Sequence, residues 1–108
     1  MSHPLEPRLR EALVHLAEDA HAQEVYLRRI KTWPSLDELA LDLDDVAEAS
    51  EVWMPPELAE RIRALSRLLD AMSGQPNKEL WEPAALGGRE WTRVRVLAAS
   101  ALDAFRRL

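Results

Sequence analysis

Apolar residues return at alternating intervals of four and three over much of the chain. The first series is Leu9, Leu13, Leu16, Ala20, Gln23, Leu27 and Ile30. That spacing puts every member on one face of an α-helix. It predicts one helix from about Pro7 to Lys31, with Gln23 as the single polar position in the seam. Pro7 suits a first turn, where its missing N–H is not needed. Trp33-Pro34 ends the run, because proline pushes the residue before it out of the helical region.

A second helix is expected from Ser35 to about Ala49 or Ser50. "SLDE" reads as a capping box, with Ser35 as N-cap and Glu38 reaching back to it. Leu36, Leu39, Ala40, Leu43, Val46 and Ala47 share one side. The third helix starts at Pro55-Pro56, carries the seam Leu58, Ile62, Leu65, Leu69, Met72, and is expected to end with Gly74 as its cap. "KELWEPAALGG" predicts a helical turn or two between Pro83 and Gly87-Gly88. The last helix runs from about Arg89 to Leu108, with Trp91, Val94, Ala98, Ala101, Phe105 and Leu108 on its inner face. No stretch alternates with period two, so no sheet is expected. The reading is an all-α chain: one domain over residues 1–108, an antiparallel four-helix bundle with one short extra helical segment, and disorder confined to residues 1–6.

Composition agrees with that reading and narrows the setting. A chain of 108 residues suits one domain and is long enough to bury a core without staples. Apolar residues at 47% and charged residues at 31% describe a globular chain rather than a disordered one. Cysteine is absent, which removes disulfide and thiolate chemistry and allows a reducing compartment. The first residues lack the basic-then-apolar layout of a signal peptide, and no apolar run reaches membrane-spanning length. A soluble, cytoplasmic protein is expected.

Charge changes the picture more. The net charge is −5, but residues 32–60 hold nine acids and no base. Arginines gather later, as Arg61, Arg63 and Arg67, and then as Arg89, Arg93, Arg95, Arg106 and Arg107, which are expected to give the last helix a basic outer side. Stepping about 100° per residue from Leu36, the apolar side of the second helix centres near about 340°. Asp37, Glu38, Asp44, Asp45 and Glu48 spread over about 80–200°, and Leu41 falls among them at about 140°. A leucine ringed by carboxylates, on a helix without a base, has the make-up of an interface anchor with a charged rim. The opposing reading is a solvated face partly neutralised by Arg61, Arg63 or Arg67 from the next helix.

Candidate chemistry is thin. Glu18-x-x-His21 has the spacing of carboxylate-bridged di-metal bundles, but no second copy exists. "ALGGRE" lacks the Walker pattern and follows no strand. "DLDDVAEASE" lacks the glycine of a calcium-binding loop, and its twelfth position, counted from Asp42, is Trp53. "DELALDLDD" resembles the acid-bearing helices of all-helical nucleotide pyrophosphatases. That resemblance implies Mg²⁺ held by Glu38, Asp42 and Asp45 with Glu18 from a neighbouring helix, although the acids lie opposite the apolar stripe. Trp91 is expected in the core, and Trp33, Trp53 and Trp81 as lids over the helix ends, with a clustered binding patch as the alternative.

The leading expectation is a non-enzymatic module without cofactor or metal that recognises a basic protein. Immunity proteins and antitoxins, which neutralise basic toxic enzymes, are one class of this kind. The partner-binding residues would be Asp37, Glu38, Leu41, Asp42, Asp44, Asp45 and Glu48. A Mg²⁺-dependent helical pyrophosphohydrolase is the alternative, and a helical DNA-binding regulator the third. The acids of residues 32–60 would repel phosphates, which disfavours nucleic acid. No membrane contact is expected, and the seams leave open whether a second copy shares them.

Overall fold

The computed structural model describes residues 3–107. Met1, Ser2 and Leu108 lie outside the described residues, and with them the expected inward place of Leu108 and the first two of the residues expected to be disordered. All regular structure among the described residues is helical. The helices are α1 (Glu6–Ala17), α2 (Ala20–Arg29), α3 (Asp37–Ser50), α4 (Pro56–Ala71) and α5 (Arg89–Arg106). Two 3-10 segments, Gln75–Trp81 and Pro83–Ala85, join α4 to α5. His3 to Glu6 hold to the body: the Glu6 amide donates to the His3 carbonyl, and the His3 ring stacks on Trp53 with centroids 5.2 Å apart.

The single helix expected over Pro7–Lys31 is two helices. Glu18 is extended and closes α1, and Asp19 caps α2 by accepting from the Ala22 amide at 2.8 Å. Aspartate favours this N-cap role over a helix interior. The break frees carbonyls at the end of α1, and Gln23 satisfies them. Its amide donates to the carbonyls of His15 and Leu16 at 3.0 and 3.1 Å, while its oxygen accepts from Arg95 at 2.9 Å. That is why a polar side chain sits in the seam fully buried. Leu9, Leu13, Leu16 and Leu27 remain fully buried on either side of the break.

Other ends are built with similar local economy. Lys31 has φ 64° and ends α2, with the Thr32 amide donating to the Leu27 carbonyl and the Lys31 amide to that of Arg28. This is the Schellman arrangement, with lysine where glycine is usual. α3 begins at Asp37, later than the expected capping box. Leu36 is drawn fully into the core as the N-cap residue, so Ser35 reaches only the Asp37 amide, at 3.3 Å. α4 ends at Met72 rather than against Gly74, which lies two residues further on at φ 100°. Its last carbonyls accept from side chains instead: Ser73 to Leu69, Asn77 to Ala71 and Trp81 to Met72.

The core combines the inner faces of α1, α3, α4 and α5 with Trp91, whose indole N–H donates to the Leu80 carbonyl at 2.7 Å. The helices pack in the order α3, α1, α5, α4, while α3 and α4 meet at few points. The Cα radius of gyration, 13.4 Å, is close to the roughly 13 Å of one packed domain of this length. No described helix is long and apolar enough to cross a membrane.

Candidate protein-binding surface

α3 carries the acids as the helical wheel requires. Its inner side, Leu39, Ala40, Leu43 and Val46, is buried. Asp37, Asp44, Asp45 and Glu48 are exposed on the outside, and Glu38 and Asp42 are half-buried. Leu41 stands among them with 47% of its surface exposed. Like charges one turn apart oppose helix formation, and burial first, then Asp42 in this way, raise the carboxyl of Glu38. Although Asp44 is an exposed residue, partial burial of its carboxyl, then Asp70 and Asp45, raise it above its ordinary range.

The arginines of α4 do little to relieve this. Arg61 donates to Glu57 and to the Ser100 carbonyl, which ties α4 to α5. Arg67 turns to the Arg63 carbonyl at 3.4 Å. Arg63 alone approaches an acid of the 32–53 stretch, Glu51, and at 3.6 Å between two exposed side chains. Among the described residues, Asp37, Glu38, Asp44, Asp45 and Glu48 have no basic partner within ion-pair distance.

Two depressions meet at Asp44. A cavity of about 290 Å³ is lined by Asp37, Ala40, Leu41, Asp44, Ser73 and Trp81. Trp81 is the lid expected from sequence: it closes the end of α4 through its bond to Met72 and meets Trp91 edge-on at 5.3 Å. It also supplies one wall of the hollow beside Leu41. A larger groove, about 580 Å³, runs between α3 and α4. Ala47, Met54, Ala59 and Ile62 contribute apolar surface to it, Asp44, Glu48 and Glu51 line its α3 bank, and Arg63, Arg67 and Asp70 line its α4 bank.

Asp42 is spent inside the fold. It accepts from the Tyr26 hydroxyl at 2.6 Å, so it pins α2 to α3 rather than facing outwards with the others. Burial first, and that bond second, hold the Tyr26 phenol well above its ordinary range. Tyr26 stacks on buried His15 with centroids 3.6 Å apart. The Nε2 and Nδ1 of His15 stand 3.6 Å from Glu11 and 3.8 Å from Glu18, beyond hydrogen-bond distance, and neither has a hydrogen-bond partner among the described residues. The one-turn spacing of His15 and Glu18 is visible in the sequence, but the Tyr26 stack and its tie to Asp42 are not, since nothing in "VHLAEDAHAQEVY" shows that residues flanking a helix break will face one another.

Other candidates disperse. Glu18 and His21 fall on opposite sides of the break, so their three-residue spacing no longer places them on one helix face. No group of three or more histidines or carboxylates among the described residues is placed to share a metal ion. Arg95 is half-buried and turned inwards to Gln23, the Leu86 carbonyl and Thr92, not to the basic outer side expected of α5. Burial lowers its pKa, with Asp19 opposing. Arg107 is drawn to Asp103 and Glu57. Trp33 lies under the Arg28 guanidinium at 5.0 Å, and Trp53 packs between His3 and Phe105. Comparison with protein-family models, with curated proteins and with solved structures finds no match.

Proposed function

We propose that this chain is a non-enzymatic module that binds a basic protein through the outer face of α3, as an immunity protein or antitoxin would, and that it acts in the cytoplasm as an open helical bundle. The observation that carries the reading is Leu41, 47% exposed, within a ring of carboxylates that have no basic partner among the described residues. A surface built for solubility alone would mix its charges and so avoid the repulsion. Here the acids are concentrated around an apolar side chain and a hollow walled by Trp81. A positive partner would be steered by the rim and held by desolvated contact at Leu41 and Trp81. Asp37, Asp44, Asp45 and Glu48 form the outer rim, Glu38 its half-buried flank, and Asp42 supports the face from behind through Tyr26.

The test is affinity capture from the source lysate at low and high salt, with wild type beside Leu41→Arg. A single basic protein held by wild type at low salt, released at high salt and missing from Leu41→Arg is the expected result. Equal capture by both proteins at both salt concentrations would refute the reading.

A further inference from the structure

α3 and α4 follow one another in sequence yet meet at few points, and the space between them is the groove of about 580 Å³. Its lining spans Asp44 to Glu51, the residue that caps α3, on one side and Ala59 to Asp70 of α4 on the other. At about 1.5 Å per residue these are stretches of roughly 10 and 16 Å, two to three helical turns. The floor includes Met54, half-buried, whose flexible thioether adapts to varied apolar partners. The two banks differ in charge. The α3 bank presents Asp44, Glu48 and Glu51, whereas the α4 bank mixes Arg63 and Arg67 with Asp70.

We infer that the groove receives an amphipathic helix of the partner, lying along α3 and α4 with an apolar stripe on Ala47, Met54 and Ile62 and a basic flank against α3. This rests on the reading of the acidic face given above and specifies the element that face recognises. Charge complementarity fixes the occupant. A helix basic on both flanks would set its second flank against Arg63 and Arg67, and an acidic one would meet the α3 carboxylates. A helix laid between two others matches banks two to three turns long, and helix-in-groove recognition has this form. Leu41 lies outside the groove on the far side of Asp44 and would contact a neighbouring part of the same partner.

The probe is a synthetic helix-forming peptide of roughly 14 residues, about four turns, with a leucine and alanine stripe, arginines on one flank and glutamines on the other. Its counterpart carries glutamates in place of the arginines. Binding is followed by amide and methyl NMR shifts in wild type, Leu41→Arg, Glu48→Arg and Ser66→Trp. Glu48 is exposed and Ser66 half-buried, so at least the first substitution leaves the fold intact. The expected result is shifts at Ala47, Met54 and Ile62 with the arginine peptide, none with the glutamate peptide, and at least tenfold weaker binding to Glu48→Arg and Ser66→Trp but not to Leu41→Arg. Shifts confined to Leu41 and its hollow, and lost in Leu41→Arg, would overturn the groove while sparing the acidic face. Equal shifts with both peptides would overturn the charge assignment. No shifts with either would remove the groove, and capture by Leu41-bearing protein would then judge the acidic face separately.

Discussion

Gln23 shows how one side chain carries a local decision into the fold. As the polar member of an apolar seam it reads as a defect. In three dimensions it closes α1 by taking two carbonyls and receives Arg95 from the far end of the chain. Gln23→Leu keeps the volume and removes all three bonds. Two buried carbonyls and a half-buried guanidinium then lose a partner, each loss worth about 1–3 kcal/mol. Denaturant unfolding of Gln23→Leu is therefore expected to show a loss of about 2 kcal/mol or more, and an unchanged midpoint would contradict the role. Gln23 itself was legible as an exception, but its purpose was not, because Arg95 lies 72 residues away in sequence. Asp42 has the same history. The helical wheel sets it at the edge of the acidic face, and only the placement of Tyr26, sixteen residues earlier, turns it into an internal tie.

At the scale of the element, α3 is a helix whose inner side favours folding and whose outer side opposes it. Asp44 reports the cost of holding a carboxylate there. Its carboxyl is raised above the ordinary 3.8 by burial first and then by Asp70 and Asp45. A raised acid binds its proton more readily in the fold than in the unfolded chain. Stability from this group is thus greatest at low pH and falls as pH rises from 3.8 through the raised folded value. Glu38 adds to the same trend. Asp44→Asn is accordingly expected to unfold at a higher temperature than wild type at pH 7, and to lose part of wild type's stability gain between pH 7 and the carboxylate range. Thermal melts across that range check both, and a lower melting temperature for Asp44→Asn at pH 7 would mean that the carboxylate serves folding. Inner and outer sides of α3 were readable from a period of 3.6 alone, down to the exposure of Leu41. The break between α1 and α2 was not, because Gln23 and Leu27 keep the seam in register beyond Asp19. Aspartate is a common N-cap residue, but the unbroken four-and-three spacing gives no reason to cut the helix at Asp19.

At the scale of the molecule, helical composition, absence of sheet and one buried core follow from spacing and content, and the described residues agree. The groove between α3 and α4 does not follow from them. It exists because α1 and α5 occupy the centre and leave consecutive helices apart, which no local pattern encodes. The acids on the outer side of α3 stay without a basic partner among the described residues because Arg61, Arg95 and Arg107 are engaged elsewhere and Arg63 reaches only Glu51. The raised carboxyls of Asp44 and Glu38 oppose folding within the chain, and the proposed positive partner would offset that cost. The measurement that separates these effects is the affinity of the captured partner for wild type and for Asp44→Asn/Asp45→Asn across a range of salt. Binding at least tenfold weaker for the double variant, with a shallower dependence on salt, is the expected result. Equal affinity and an equal salt dependence would show that the acids of α3 are a solvated face and take no part in recognition.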